Sequence, residues 1–436
     1  MSASRSRAEP SVEALLDEAL RIAARLKDAS KSATLQSYVV DVMALIDPDR
    51  ALKVARTIRP RSEAAALHYP GARGQAFGAV ARAFARTAPD KAIKIALRLS
   101  RADNRDLALR ELACSLARHH PTKAPRAANL IESPAQRALA LVQIGHRLPG
   151  DSKRAGRFIQ RGLRTARRIT DQAKRAWALG EMIEELDPRA VTYLRDAVQQ
   201  ALESARRISD DERADVTVLD LLGAIAQHDA PAALDVARAV ESETQRVWLL
   251  ATIAAVVGDS DPARGRRIAD EALKAARGIE KPGSRSWALS MVAESLTTID
   301  LDRALSLARS IRDRDDKAAA LEGIVDALAP TDPIRALRIA RTIKVTVHRG
   351  WALQWVVWRL CERDPARALR VARSAQDQGG FSHRSSALRD VAVAFAWSNP
   401  REAAAVARSI KDPFHRAWAL TRIGCVMLEP ARTRPA

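Results

Sequence analysis

Apolar and small residues recur along this chain with the period of a helix and almost never alternate, so the pattern predicts helices throughout and no strands. A second, longer period overlies the first. The phrase R-A-x-A-L-x-x-I-A returns with its leading base at Arg73, Arg105, Arg137, Arg175, Arg213, Arg246, Arg285, Lys317, Arg349, Arg384 and Arg416, at spacings of 32 to 39 residues. In nearly every copy apolar or small residues stand at offsets +1, +4, +8 and +11 from that base, as in Ser286, Leu289, Ala293 and Leu296. Those offsets share one face of a helix, called helix A below.

About fifteen residues after the base comes a second phrase, D-P-x-R-A-L-x-x-A-R-x-I, clearest at Asp47-Pro48, Asp261-Pro262, Asp332-Pro333 and Asp364-Pro365. The Asp can cap free amides, and a Pro in the first turn loses no hydrogen bond, so a second helix, B, starts there. Its core face in one copy is Ala336, Leu337, Ala340 and Ile343. The units at Arg137, Arg175 and Arg246 are longer by six or seven residues, which places about two extra turns in helix B.

A single such hairpin cannot bury its own apolar face, so the units must stack. The expectation is an all-α fold, a right-handed α-solenoid of about twelve two-helix repeats of 32–39 residues, forming a curved rod. Residues 1–10 read as a disordered N-terminus and 11–430 as one repeat domain. Within it, 11–72 hold a polar capping helix and a degenerate first repeat, 73–415 the tandem repeats, and 416–430 a C-terminal capping helix; 431–436 form a basic tail. Lys281-Pro282-Gly283 and Gln378-Gly379-Gly380 read as flexible joints.

Helix B resembles the second helix of HEAT-type repeats, in which an Asp opens the helix and a base follows six residues later: Asp47 with Lys53, Asp261 with Arg267, Asp332 with Arg338, Asp364 with Arg370. The units are also similar in length to tetratricopeptide repeats, without that family's Trp, Gly, Tyr and Pro spacing. No proline kinks helix A. The resemblance implies the α-solenoid fold and a habit of binding extended partners, and transfers no residue roles.

Composition changes the picture in one respect. The formal net charge is +20, which points to an acidic partner, yet 59 of the 72 bases are Arg in an Ala-rich chain, a pairing that codon bias also produces. Three separated cysteines inside helical patterns, Cys114, Cys361 and Cys425, suggest a reduced, cytoplasmic protein. The N-terminus lacks the apolar core of a secretory signal, and no apolar run reaches the ~18 residues of a membrane span.

Three candidate surfaces follow. The outer face of helix B carries Arg335, Arg338 and Arg341 in one unit and Arg367, Arg370 and Arg373 in the next, a ladder that can meet phosphates or sit in solvent. In the long helix after Gly150, Arg154, Arg157, Arg161, Arg164 and Arg168 line one stripe, with no acidic residue between Asp151 and Asp171. Such like charges repel one another, and a polyanion or acidic protein surface would relieve them. Third, Trp177, Trp248, Trp287, Trp351 and Trp418 share offset +2 in helix A, and Trp355 and Trp358 extend the row beside Arg359. Those indoles can stack on a partner or pack between units.

No metal site, cofactor motif or nucleophile motif emerges: His348, His383 and His415 lie one repeat apart, and no His is followed by Glu. Glu181, Glu184 and Glu185 near Trp177 would be the catalytic acids only by analogy with HEAT-like DNA glycosylases. The reading is a non-enzymatic scaffold that binds another protein; the alternative is a solenoid that grips nucleic-acid phosphates.

Overall fold

A computed structural model describes residues 9–58, 71–99, 101–148, 152–186, 191–207, 216–377 and 382–429. Among them the regular structure is entirely helical, and the fold is a tandem helical repeat of solenoid type. The chain divides into two compact units, one holding residues 1–84 with 329–436 and the other residues 85–328.

The first unit contains α1 (Val12–Ala24), α2 (Ala29–Ile46), α3 (Pro48–Thr57) and α4 (Ala72–Phe84) from the start of the chain. The second contains α5 (Pro89–Leu97), α6 (Ala102–His119), α7 (Ala124–Asn129), α8 (Pro134–Arg147), α9 (Ser152–Arg167), α10 (Gln172–Glu185) and α11 (Val191–Arg207). It continues with α12 (Val216–Ala226), α13 (Ala230–Arg238), α14 (Glu243–Ser260), α15 (Pro262–Gly278), α16 (Pro282–Ser295), α17 (Leu301–Ser310) and α18 (Arg314–Leu328). Back in the first unit come α19 (Pro333–Thr342), α20 (Thr346–Arg363), α21 (Pro365–Ser374), α22 (His383–Ala396), α23 (Pro400–Ser409) and α24 (Pro413–Leu428).

From α2 onward the even-numbered helices are the A helices and the odd-numbered ones the B helices. The Asp-Pro signature starts helix B as its chemistry requires. The side chains of Asp47, Asp261, Asp332 and Asp364 each accept the backbone N–H three residues on, at 2.8–2.9 Å, and Asn399 does the same for α23 at 3.1 Å. Most B helices have nine or ten residues, whereas α9, α11 and α15 have 16 or 17, so the long units do extend helix B. Two of these long helices lie close to their A partners. A Cβ on Gly265 would fall 2.5 Å from the Gly258 Cα, and one on Gly162 would fall 2.9 Å from the Ala138 carbonyl oxygen.

Within each unit successive A helices pack directly on one another, as α14, α16 and α18 do in one and α20, α22 and α24 in the other. Successive B helices make far sparser contact, so within each unit the A helices form a closely packed layer and the B helices a more widely spaced one. The core between the layers is built from fully buried Ala on helix B, such as Ala336, Ala340, Ala368 and Ala372, against Leu, Ile and Val of helix A.

The two ends of the chain differ from the expected pair of caps. Among the described residues no B helix follows α24, the last A helix there, and α1 packs on it in that place. Leu15, Leu16, Ala19 and Ala23 of α1 are buried to 1% exposure or less in a face that packs on α24. Next to α24 the following A-type helix is α2, as in an ordinary step of the repeat. Glu18 of α1 pairs with Arg408 of α23 at 2.8 Å, and Asp17 pairs with Arg50 of α3 at 2.6 Å. The apolar stripe of α1 reads as a cap only while its partner, some 400 residues away, is unknown. Lys281-Pro282-Gly283 opens α16 instead of forming a joint, because Lys281 is its N-cap and Pro282 its first residue. Gln378-Gly379-Gly380 lies outside the described residues.

Candidate functional site

The leading base of helix A is a structural group. Arg105, Arg137, Arg246, Arg285, Arg349 and Arg416 each donate to the carbonyl oxygen six residues back, at 3.3, 2.8, 3.1, 3.2, 3.1 and 2.8 Å. The accepting residues, Leu99, Ile131, Val240, Ile279, Ile343 and Ile410, are the buried aliphatics just past the end of helix B. The guanidinium thus serves carbonyls that the helix leaves without an internal partner, where positive charge is also favoured. Arg175 occupies the same slot but lies 3.6 Å from Glu203 of α11, and burial pushes its pKa down.

Outer-face bases of helix B have a second structural use. Counting from the capping residue, offset +3 pairs with the preceding B-type helix and offset +9 with the following one. Arg50 reaches Asp17 and Arg303 reaches Asp270 by the first route; Arg238 reaches Glu271 at 2.7 Å and Arg408 reaches Glu18 by the second. These pairs are partly exposed, so each stabilises by no more than about 1 kcal/mol.

Between α19 and α21 the same slots find no acids. Arg338, Arg341, Arg370 and Arg373 are exposed, Arg335 and Arg367 half-buried. None of Arg338, Arg341, Arg367, Arg370 and Arg373 forms an ion pair with a described residue. The sequences of α19 and α21 contain no acidic residue, so neighbours cannot staple each other there.

The stripe on α9 is only partly free. Arg154 donates to the Pro121 carbonyl at 3.3 Å, and Arg161 to the Asn129 side chain at 3.0 Å, so both bind the preceding repeat. Arg157, Arg164 and Arg168 remain exposed without a side-chain partner among the described residues. Nearby Arg167, which lies off the stripe, pairs with Asp196 at 3.0 Å.

Most of the indoles at offset +2 are half-buried on the A layer. Trp248 and Trp287, from successive A helices, meet edge to face with ring centroids 5.8 Å apart, which is packing between repeats. Trp177 is likewise half-buried, and Trp351 meets the His383 ring at 4.9 Å. Trp418 carries Arg389 over its ring at 4.4 Å and Arg422 at 5.8 Å. Arg389 also pairs with Asp390 at 2.8 Å, a carboxyl whose pKa burial nonetheless raises. This arginine-to-indole arrangement was not legible from spacing, because Arg389 and Trp418 belong to different repeats. Trp358 is different in kind: 44% of it is exposed, with Arg359 stacked on it at 4.0 Å and Trp355 edge-on at 6.3 Å.

The remaining chemistry is quiet. Glu185 accepts from Gln143 at 2.8 Å, and Gln143 in turn accepts from the Cys114 thiol at 2.8 Å. Burial pushes the Cys114 pKa up to about 11 and raises Cys361 and Cys425 too, so all three thiols stay protonated near neutrality and make poor nucleophiles. Among the described residues no group of His, Cys, Asp and Glu is placed to hold a metal ion, and no helix is long and apolar enough to cross a membrane.

No family model matches the chain, and no curated protein matches it in sequence. Among solved structures, Ton1535 from Thermococcus onnurineus NA1 is 16% identical, with a TM-score of 0.27 over 78% of this chain and 96% of that one. A circular tandem repeat protein with novel repeat topology and enhanced subunit contact surfaces is 13% identical, with a TM-score of 0.25 over 96% and 98%. Likenesses this slight say nothing of what the chain does; its repeat fold rests on its own helices.

Proposed function

We propose that this chain is a non-enzymatic helical-repeat scaffold that grips a partner protein through the indole face of α20. The observation that carries the reading is Trp358, exposed in an array that half-buries its other described indoles, and flanked by Arg359 and Trp355. Trp and Arg are the residue types that dominate protein interfaces, and a Trp brings roughly 150–250 Å² of burial to a contact. A photo-crosslinking side chain placed at position 358, with position 13 on α1 as control, tests it in the native cell. The reading requires a discrete protein adduct from 358 that disappears with Trp355→Ala. Identical adducts from both positions, or none, would overturn it.

A second reading has its own observation, the exposed and unpaired arginines of α19, α21 and α9, which fit an extended polyanion. Binding of mixed-sequence DNA and RNA across a salt series tests it. Each phosphate left unneutralised by Arg338→Glu, Arg341→Glu, Arg370→Glu or Arg373→Glu should lower the log–log salt slope by about 0.9. Absence of binding by the unaltered protein at low salt removes this reading.

A further inference from the structure

Six of the eleven helix A copies lack a Trp at offset +2. At offset +2, α20 has Trp351 and α24 has Trp418, but α22, which lies between them, has Ser386. A cavity of about 220 Å³ lies beside that serine, lined also by Trp351, Phe414, Gln354 and His415. Roughly 150 Å³ is enough for a benzene ring in a protein interior, so this space admits a fused bicyclic ring.

Among the lining side chains, Gln354 Oε1 and His415 Nδ1 are buried polar atoms with no hydrogen-bond partner. Buried polar atoms of this kind are normally satisfied, and an occupant of this cavity would supply the bond that both lack. An N–H group meets the Gln354 oxygen. His415 is neutral near pH 7 because burial lowers its pKa, so its Nδ1 can take either hydrogen-bonding role. Charge at the cavity is balanced: Lys31 and Asp412 both line it, and Asp412 already accepts from the His415 backbone N–H at 2.9 Å. A neutral occupant therefore suits it better than an anion or a cation. Beside the cavity, α20 has Gly350 at offset +1, and a Cβ there would fall 2.4 Å from the ring of His383, one of the lining residues.

We propose that the cavity between α20, α22 and α24 binds a neutral, planar, fused heterocycle that carries a ring N–H. Such a ring fills the indole-sized gap at Ser386, stacks against Trp351 and Phe414, and donates to Gln354. This site is separate from the exposed face of Trp358, and its test is independent of any protein partner.

Ligand-observed NMR with indole, adenine and 1-methylindole provides the test, since 1-methylindole keeps the shape and lacks the N–H. Indole or adenine should bind at millimolar concentration, with 1-methylindole about tenfold weaker, the worth of one hydrogen bond. Ser386→Trp should abolish binding without lowering the melting temperature, because it supplies the absent indole. Gln354→Leu should erase the preference for indole over 1-methylindole, which keeps the proposal testable if the tryptophan variant does not fold. No binding of any probe to the unaltered protein would overturn the proposal, as would equal binding of indole and 1-methylindole, or binding that survives Ser386→Trp.

Discussion

Replacing Leu16 with Ala probes the place where the repeat passes from the last helix to the first. Leu16 is 1% exposed, and its side chain lies against Gly424 of α24, within 3.5 Å of where a Cβ on that glycine would stand. Leu→Ala at such a site costs about 2–5 kcal/mol, from reduced burial and the cavity left behind. The ion pairs Arg408–Glu18 and Arg50–Asp17 have side chains 25–50% exposed and contribute at most about 1 kcal/mol each. Apolar packing therefore outweighs both pairs together in holding α1. Because α1 has only 13 residues, its detachment is a local opening, read by hydrogen exchange of its amides. A loss of about 2.8 kcal/mol lowers protection a hundredfold. Leu16→Ala should produce a change of that order in α1 and α24 and leave α14 and α15 unchanged, whereas Glu18→Gln with Asp17→Asn should produce about thirtyfold or less. Equal loss in α14 and α15, or α1 amides already unprotected in the unaltered protein, would refute the reasoning.

Other perturbations have equally definite outcomes. Asp332→Ala removes the cap of α19 and should cost about 1 kcal/mol in urea unfolding. Gly350→Ala forces a methyl into the His383 ring and should cost about 1–3 kcal/mol, seen as a lower melting temperature. Burial lowers the pKa of both His383 and His415 from 6.5, with Arg389 and Lys31 lowering that of His415 further, and Asp412 and Asp377 opposing. The unfolded chain therefore takes up protons first as the pH falls. Stability from this pair should be complete above about pH 6.5 and decline below it, and His383→Gln should flatten that slope in a pH series of melts. In a thiol-labelling assay on the native protein, half-buried Cys425 should react before buried Cys114 and Cys361.

Much of the array was legible because its signals are local. An Asp followed by Pro sets a helix start within three residues, and the offsets of helix A place its apolar face within four turns. What stayed hidden depends on contacts across repeats or across the whole chain. The leading arginine announced the register but not its role, since its bond reaches back over a turn to Ile343 or its equivalent. The α9 stripe looked uniform because Pro121 and Asn129, which engage Arg154 and Arg161, lie in the preceding repeat. The partner of α1 lies at the far end of the chain. Ser386 is one of six residues other than Trp at offset +2, and only the cavity beside it sets it apart.

If the repeat's signature bases build the array and the ladder bases serve a partner, hydrogen exchange on two variants separates the two groups directly. Arg349→Ala should open the last turn of α19 near Ile343 by roughly tenfold or more, the worth of a charged hydrogen bond to a carbonyl. Arg370→Ala with Arg373→Ala should leave exchange throughout α19, α21 and α23 unchanged. Comparable losses of protection in both variants, or none in the first, would contradict this division.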